Sequence, residues 1–189
     1  MKLSIKNMVC PRCISAVERV LNDLDLHPQH VALGEAVIAA EPDEAQLSAL
    51  REKLQEQGFE LLEDNKSQVA DRIKSIIINH IHHSGEGSVV FSELLASELH
   101  RDYSGLSKLF SAQEDFTIEQ YIILQKIEKV KELLQYNQLT LSEIADMLGY
   151  SSVAHLSAQF RKTVGITPSV FRKNTTALRQ PLDAVAKKV

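Results

Sequence analysis

The stretch Thr140-Leu141-Ser142-Glu143-Ile144-Ala145-Asp146-Met147-Leu148-Gly149-Tyr150-Ser151-Ser152, running on to Leu156 and Phe160, decides how this 189-residue chain is read. Thr140 and Glu143 have the spacing of a capping box, so a helix starts there. Leu141, Ile144, Ala145 and Leu148 fall on one face, and the small Ala145 lets a second helix cross closely. Gly149 stops the first helix, and Ser151 or Ser152 caps the next, which buries Leu156 and Phe160. The unit is helix, short turn, helix.

Working outward, the same pattern occurs earlier in the chain. Glu93-Leu94-Leu95-Ala96-Ser97-Glu98-Leu99 runs on to Leu106 and Phe110. Leu95/Ile144, Ala96/Ala145 and Leu99/Leu148 are offset by 49 residues; Leu106/Leu156, Phe110/Phe160 and Tyr121/Phe171 are offset by 50. One extra residue therefore lies in the second copy, inside its turn or at the start of its second helix. Between the copies Tyr121, Ile123, Leu124, Ile127, Val130 and Leu134 predict a helix from about Ile118 to Tyr136, ~28 Å long at about 1.5 Å per residue. Reading helices so spaced suit successive major grooves, about 34 Å apart on one face of a duplex. A helical bundle without a DNA role also accommodates such units; two copies plus the connecting helix favour DNA.

Charge separates the halves. Residues 1–65 hold 6 Lys+Arg and 12 Asp+Glu, a net −6, whereas residues 66–189 hold 15 and 13, a net +2. Only the second half is suited to phosphates, and at +2 a shallow salt dependence is expected.

Over about 105 residues this half resembles the DNA-binding domain of the AraC/XylS transcription regulators. Leu141-Ser142-Glu143-Ile144-Ala145, Leu148-Gly149-Tyr150-Ser151-Ser152, Phe160-Arg161-Lys162-Thr163-Val164-Gly165-Ile166-Thr167-Pro168-Ser169 and Phe171-Arg172 carry the resemblance. It implies two DNA-reading helices, with Ser104, Ser107 and Lys108 base-facing in the first and Val153, Ala154, His155, Ser157 and Ala158 in the second. Many relatives have Arg or Asn where Ala158 stands here. Val153, Ala154 and Ala158 suit thymine methyls, His155 and Ser157 suit base edges, and Lys108 suits guanine. Arg161, Lys162, Arg172 and Lys173 are candidates for phosphate contacts.

The first third reads differently. Lys2 to Met8 alternates as a strand, with Leu3, Ile5 and Asn7 on one face; Ile14, Val17, Val20, Leu21 and Leu24 mark a helix broken at His27-Pro28; Val31 to Ala40 is a hairpin around Gly34-Glu35. Asp43 caps a helix carrying Leu47, Leu50 and Leu54 that Gly58 ends, and Phe59–Leu62 is a last strand. The order βαββαβ predicts a ferredoxin-like arrangement. Two cysteines, Cys10 and Cys13, fall between the first strand and first helix, where a helix N-terminus lowers thiol pKa and two thiolates can grip one soft ion, Cu(I) or Zn(II). An idle reduced pair and a redox pair are the alternatives.

Met8-Val9-Cys10-Pro11-Arg12-Cys13 in this context resembles the heavy-metal-associated domain of copper chaperones and metal-pumping ATPases. The resemblance implies metal binding by Cys10 and Cys13, with Met8 packed beneath the loop. The chain departs from that pattern at Asn7, usually Gly, and at Pro11-Arg12. His80, His82 and His83 close a helix begun near Val69 and read as a positively biased helix end.

Taken together the sequence predicts an α+β protein: a ferredoxin-like domain at 1–64, a linker at 65–70, an all-α AraC-type double helix-turn-helix domain at 71–173 and a tail at 174–189. The expected function is sequence-specific transcription regulation on double-stranded DNA under control of Cu(I), with Zn(II) second, in the cytoplasm, and with a homodimer as one mode of action. The alternative is a metal carrier whose helical domain only docks to proteins. No 18-residue apolar run and no catalytic constellation occurs, so neither a membrane protein nor an enzyme is expected.

Overall fold

The computed structural model describes residues 1–84, 89–173 and 181–185. These divide into two compact units, Met1–Asn79 with Lys108–Asp115, and His80–Ser107 with Phe116–Val189.

In the first unit β1 (Lys2–Lys6), α1 (Pro11–Asp23), β2 (Pro28–Ala32), β3 (Glu35–Ile38), α2 (Glu44–Glu56) and β4 (Glu60–Leu62) follow one another. The strands form one antiparallel sheet in the order β2-β3-β1-β4. Alternation along β1 sends Leu3 and Ile5 into a core shared with Val17 and Leu21 of α1 and Leu50 and Leu54 of α2. Asp43 caps α2 through a full capping box with Gln46. The strand predicted to run from Lys2 to Met8 stops at Lys6, because Asn7 adopts a left-handed φ of 71°. Asp25 and His27, also at positive φ, turn the chain so that β2 starts at Pro28 rather than Val31.

Residues 65–70, expected to be a linker, are the first half of a helix, α3 (Asn65–Ile78). Asp64 is its cap, accepting from the backbone N–H of Lys66 and Ser67. The polar run Asn65–Gln68 is thus a first helical turn rather than a break. Register places Ser4 opposite both Glu35 and Leu62, on the face away from Leu3 and Ile5. There α3 lies: Gln68 donates to the Leu62 carbonyl at 2.9 Å, and Arg72 donates to the Leu33 carbonyl at 2.9 Å and lies 3.5 Å from Glu35. Asp71 and Ser75 of α3 are buried.

In the second unit a π-helical turn, Asn79–His83, leads to α4 (Phe91–Leu99), α5 (Tyr103–Gln113), α6 (Ile118–Tyr136), α7 (Leu141–Met147), α8 (Val153–Val164) and α9 (Pro168–Lys173). Of α5, the part from Lys108 onward clusters with the first unit. The histidines have structural surroundings: His82 Nε2 lies 3.0 Å from Gln125 Oε1, and the His80 ring meets Phe91 edge-on. Buried Gln125 donates in turn to the Leu182 carbonyl at 3.1 Å. Within the expected tail, residues 181–185 thus form a turn with Val185 buried; the rest of 174–189 lies outside the described residues.

Two groups, buried Asp71 and half-buried His82, give the units opposite responses to acid. Burial pushes the Asp71 carboxyl up to about 6, with Lys74 and Lys6 opposing, so the folded first unit holds this proton more tightly than the unfolded chain does. Its stability is expected to fall as pH rises from about 4 to 6, and to be higher at neutral pH in Asp71→Asn. Burial pushes His82 down to about 4 against its Gln125 hydrogen bond, so the second unit loses stability as pH falls from 6.5 towards 4. Each effect is on the order of 2–3 kcal/mol. Native-state hydrogen exchange at pH 6.5 and 4.5 checks this, and protection changing in the same direction in both units would count against it.

Candidate nucleic-acid interface and thiol pair

The repeat seen in the sequence is a repeat in space. Past the turn, burial classes run identically over residues 102–121 and 152–171, position by position. At the turns His100 takes a left-handed φ of 50° and Gly149 one of 68°. The Arg101 N–H donates to the Ala96 carbonyl at 3.2 Å, and the Tyr150 N–H to the Ala145 carbonyl at 2.8 Å, an offset of 49. Past the turn the offset is 50: Asp102 Oδ2 accepts from the Gly105 N–H and Ser152 Oγ from the His155 N–H, both at 3.1 Å. The extra residue is therefore Ser151, in the turn itself. Thr140 and Glu143 form the expected capping box at the start of α7.

Burial of Leu156 and Phe160 fixes which side of α8 faces outward. Ala154, His155, Ala158, Arg161 and Lys162 are exposed along one side, while Val153 and Ser157 are half-buried on its flank. In α5, Ser104 and Lys108 are exposed and Ser107 is half-buried. Ser104 Oγ donates to Asp102 Oδ2 at 2.5 Å, which engages its hydroxyl locally. Arg172 donates to the Leu139 carbonyl at 2.8 Å, and its Nε is buried with no partner among the described residues. It ties α9 to the connection before α7, so one guanidinium nitrogen is engaged within the fold. Lys173 lies at the end of α9 and Arg161 and Lys162 in the last turn of α8.

The turn has a polar lining that sequence reasoning overlooked. Lys126 of α6 donates to the Leu148 carbonyl at 2.6 Å, with its ammonium 5.5 Å from the centre of the Tyr150 ring. Burial lowers its pKa, and burial pushes the Tyr150 phenol up to about 12. The phenol donates to Gln159 Oε1 at 2.7 Å, and the ring meets His155 edge-on at 5.4 Å. Ser151 Oγ lies 3.1 Å from His155 Nδ1. The only sequence signal for this lining was the i, i+4 spacing of Ser151 and His155.

In the first unit Cys10 precedes α1 as its N-cap, and Cys13 lies in the first turn, with the two Sγ atoms 3.3 Å apart and both residues half-exposed. Met8 is buried beneath the loop. Asn7 takes the backbone conformation a glycine would, and its side chain donates to the Gly58 carbonyl at 2.9 Å, pinning the loop. Contrary to the expected lowering, burial pushes the Cys13 thiol up, outweighing its backbone hydrogen bonds. Among the described residues no cluster of three or more His, Cys, Asp or Glu is arranged to hold a metal.

Comparison with known proteins places the second unit. Residues 95–174 match the family model described as a helix-turn-helix domain. Over 115 residues, 60% of this chain, the sequence is 31% identical to the Msm operon regulatory protein of Streptococcus mutans, covering 40% of that protein. Over 97 residues, 51% of the chain, it is 30% identical to the xylose operon regulatory protein of Haemophilus influenzae, covering 25% of that protein. The chain thus spans less than half the length of these curated relatives. The C-terminal domain of AraT, a response regulator from Geobacillus stearothermophilus, shares the fold with a TM-score of 0.50 at 21% identity, over 62% of this chain and 97% of that one. The matched segment is thus similar to a helix-turn-helix domain, the part of these regulatory proteins that the chain covers. Both relatives are named as operon regulatory proteins. Among the described residues, no helix is long and apolar enough to cross a membrane.

Proposed function

We propose that the protein is a transcription regulator of the AraC/XylS type that binds double-stranded DNA through its two helix-turn-helix copies and takes its signal from Cu(I) held by Cys10 and Cys13. The observation that carries the DNA reading is the duplicated exposure pattern of α5 and α8, which presents Ser104 and Lys108 in one copy and Ala154, His155, Ala158, Arg161 and Lys162 in the other. Half-buried Ser107, Val153 and Ser157 flank these faces and complete the reading set.

The βαββαβ order and the strand order β2-β3-β1-β4 support a ferredoxin-like reading of the first unit, similar to heavy-metal-associated domains. Two thiols 3.3 Å apart are close enough to share one ion, since metal–sulfur bonds of about 2.3 Å allow sulfurs up to ~4.6 Å apart. A two-thiol set favours Cu(I), which soft sulfur ligands select, over Zn(II), whose structural sites take four ligands. The raised Cys13 pKa makes loading pH-dependent, because the bound form is the thiolate. The protein would act in the cytoplasm, alone or as a homodimer bridged by one ion.

Fluorescence anisotropy on promoter fragments, across salt and with and without Cu(I), tests the reading. Arg161→Ala and Lys162→Ala are each expected to flatten the log–log salt slope by about 1 and weaken binding to all sequences alike. Absence of binding by either form would leave the helical unit as a protein-docking domain. An anaerobic Cu(I) competition titration should show tight binding in the wild type and its loss in Cys10→Ser/Cys13→Ser; equal weak binding by both would end the metal reading.

A further inference from the structure

We propose that Ser151 is a positioning residue for base readout: its hydroxyl fixes the tautomer of His155 so that the ring presents an N–H donor to a base edge in the major groove. The inference rests on the DNA-binding reading above and adds a specificity determinant to it.

Ser151 is the residue by which the second helix-turn-helix copy exceeds the first. Backbone bonds pair the copies at 49 up to Arg101/Tyr150, and the caps pair them at 50 from Asp102/Ser152, leaving Ser151 without a counterpart. Its partner has no equivalent either, because the position matching His155 in the first copy is Gly105. An inserted side chain and an imidazole with no match at its position in the first copy are joined to each other, with Ser151 Oγ 3.1 Å from His155 Nδ1.

Besides Ser151, the ring touches Tyr150, and the backbone beneath it is capped. Ser152 caps the His155 backbone N–H at 3.1 Å, Tyr150 meets the ring edge-on at 5.4 Å, and Tyr150 is itself anchored by Gln159 and Lys126. A reading side chain locked before binding has less rotamer freedom to lose on DNA. His155 nevertheless stays exposed at the start of α8.

Chemistry then sets what the ring reads. A neutral imidazole carries one proton, and its bare nitrogen is a strong acceptor for a hydroxyl that can rotate to suit. With the Ser151 O–H donating to Nδ1, the proton resides on Nε2, and Nε2–H is the group left for DNA. In the major groove guanine offers N7 and O6, adenine N7 and thymine O4 as acceptors, whereas cytosine offers an amino donor. His155 therefore discriminates against cytosine at one operator position.

The test uses the full chain, with and without Cu(I). Binding sites are selected from randomised double-stranded DNA by the wild type, Ser151→Ala, Ser151→Thr and His155→Ala, and ring-nitrogen NMR of the free proteins reports the tautomer. The wild type should carry its proton on Nε2 and exclude cytosine at one position by about tenfold. Ser151→Ala should keep total affinity within a few-fold while that exclusion falls several-fold and the tautomers mix. Ser151→Thr should restore both, and His155→Ala should lose the preference at that same position. A wild-type proton on Nδ1, or a preference unmoved by Ser151→Ala, overturns the inference and leaves DNA binding standing. If no duplex sequence is enriched, the DNA-binding reading fails and this inference with it.

Discussion

Replacing Phe160 with alanine is expected to cost the second unit about 3–5 kcal/mol. The ring has no exposed surface and meets Phe171 edge-on at 5.4 Å and 78°, so α8 is bolted to α9 through it. Domains of this size have only about 5–15 kcal/mol of stability in total, so the loss would bring the unit close to unfolding near body temperature. Function should suffer before unfolding, because Phe160 lies on the inward side of the helix whose outward side carries His155 and Arg161. Val170, 45% exposed on α9, is the control; alanine there should change stability by no more than about 0.5 kcal/mol. Urea titration followed by far-UV circular dichroism measures both. A loss below about 1 kcal/mol for Phe160→Ala would mean that α8 and α9 are not packed as described.

The second large effect is expected at Gly34. Its φ is +83°, and a Cβ there would lie 2.5 Å from Ser75 Oγ and 3.3 Å from Ser75 Cβ. Gly34→Ala meets two costs, about 1 kcal/mol for the left-handed backbone and about 1–3 kcal/mol for overlap with α3. Adding Ser75→Ala removes the hydroxyl in the way and should recover most of the second cost but none of the first. A double-mutant cycle separates them: a coupling of about 1 kcal/mol or more is expected, and strict additivity would show that α3 is not seated on the β2–β3 turn.

Much of this architecture was legible along the chain. The repeat at 49 and 50 residues located both helix-turn-helix copies because each must bury Leu106 and Phe110, or Leu156 and Phe160, at fixed places on a helix. The capping box at Thr140 and Glu143 is a bond between residues three apart, so sequence spacing suffices to identify it. The order of strands and helices in the first unit followed from hydrophobic period for the same reason. What escaped were contacts between residues far apart. Asn65–Gln68 looked like a linker because its polarity is local, whereas α3 is held to the sheet through Gln68, Arg72 and Ser75 against residues up to about forty positions away.

The sequence by itself determined the two helix-turn-helix copies, the outward positions on α8, and the pairing of Cys10 with Cys13, all set by helical period or by neighbours a few residues apart. Only the tertiary structure decided that Arg172 donates to the Leu139 carbonyl, that His82 sits half-buried against Gln125, and that burial raises the Cys13 thiol. Those outcomes depend on desolvation and on partners supplied by other elements, and neither is set until the chain has folded.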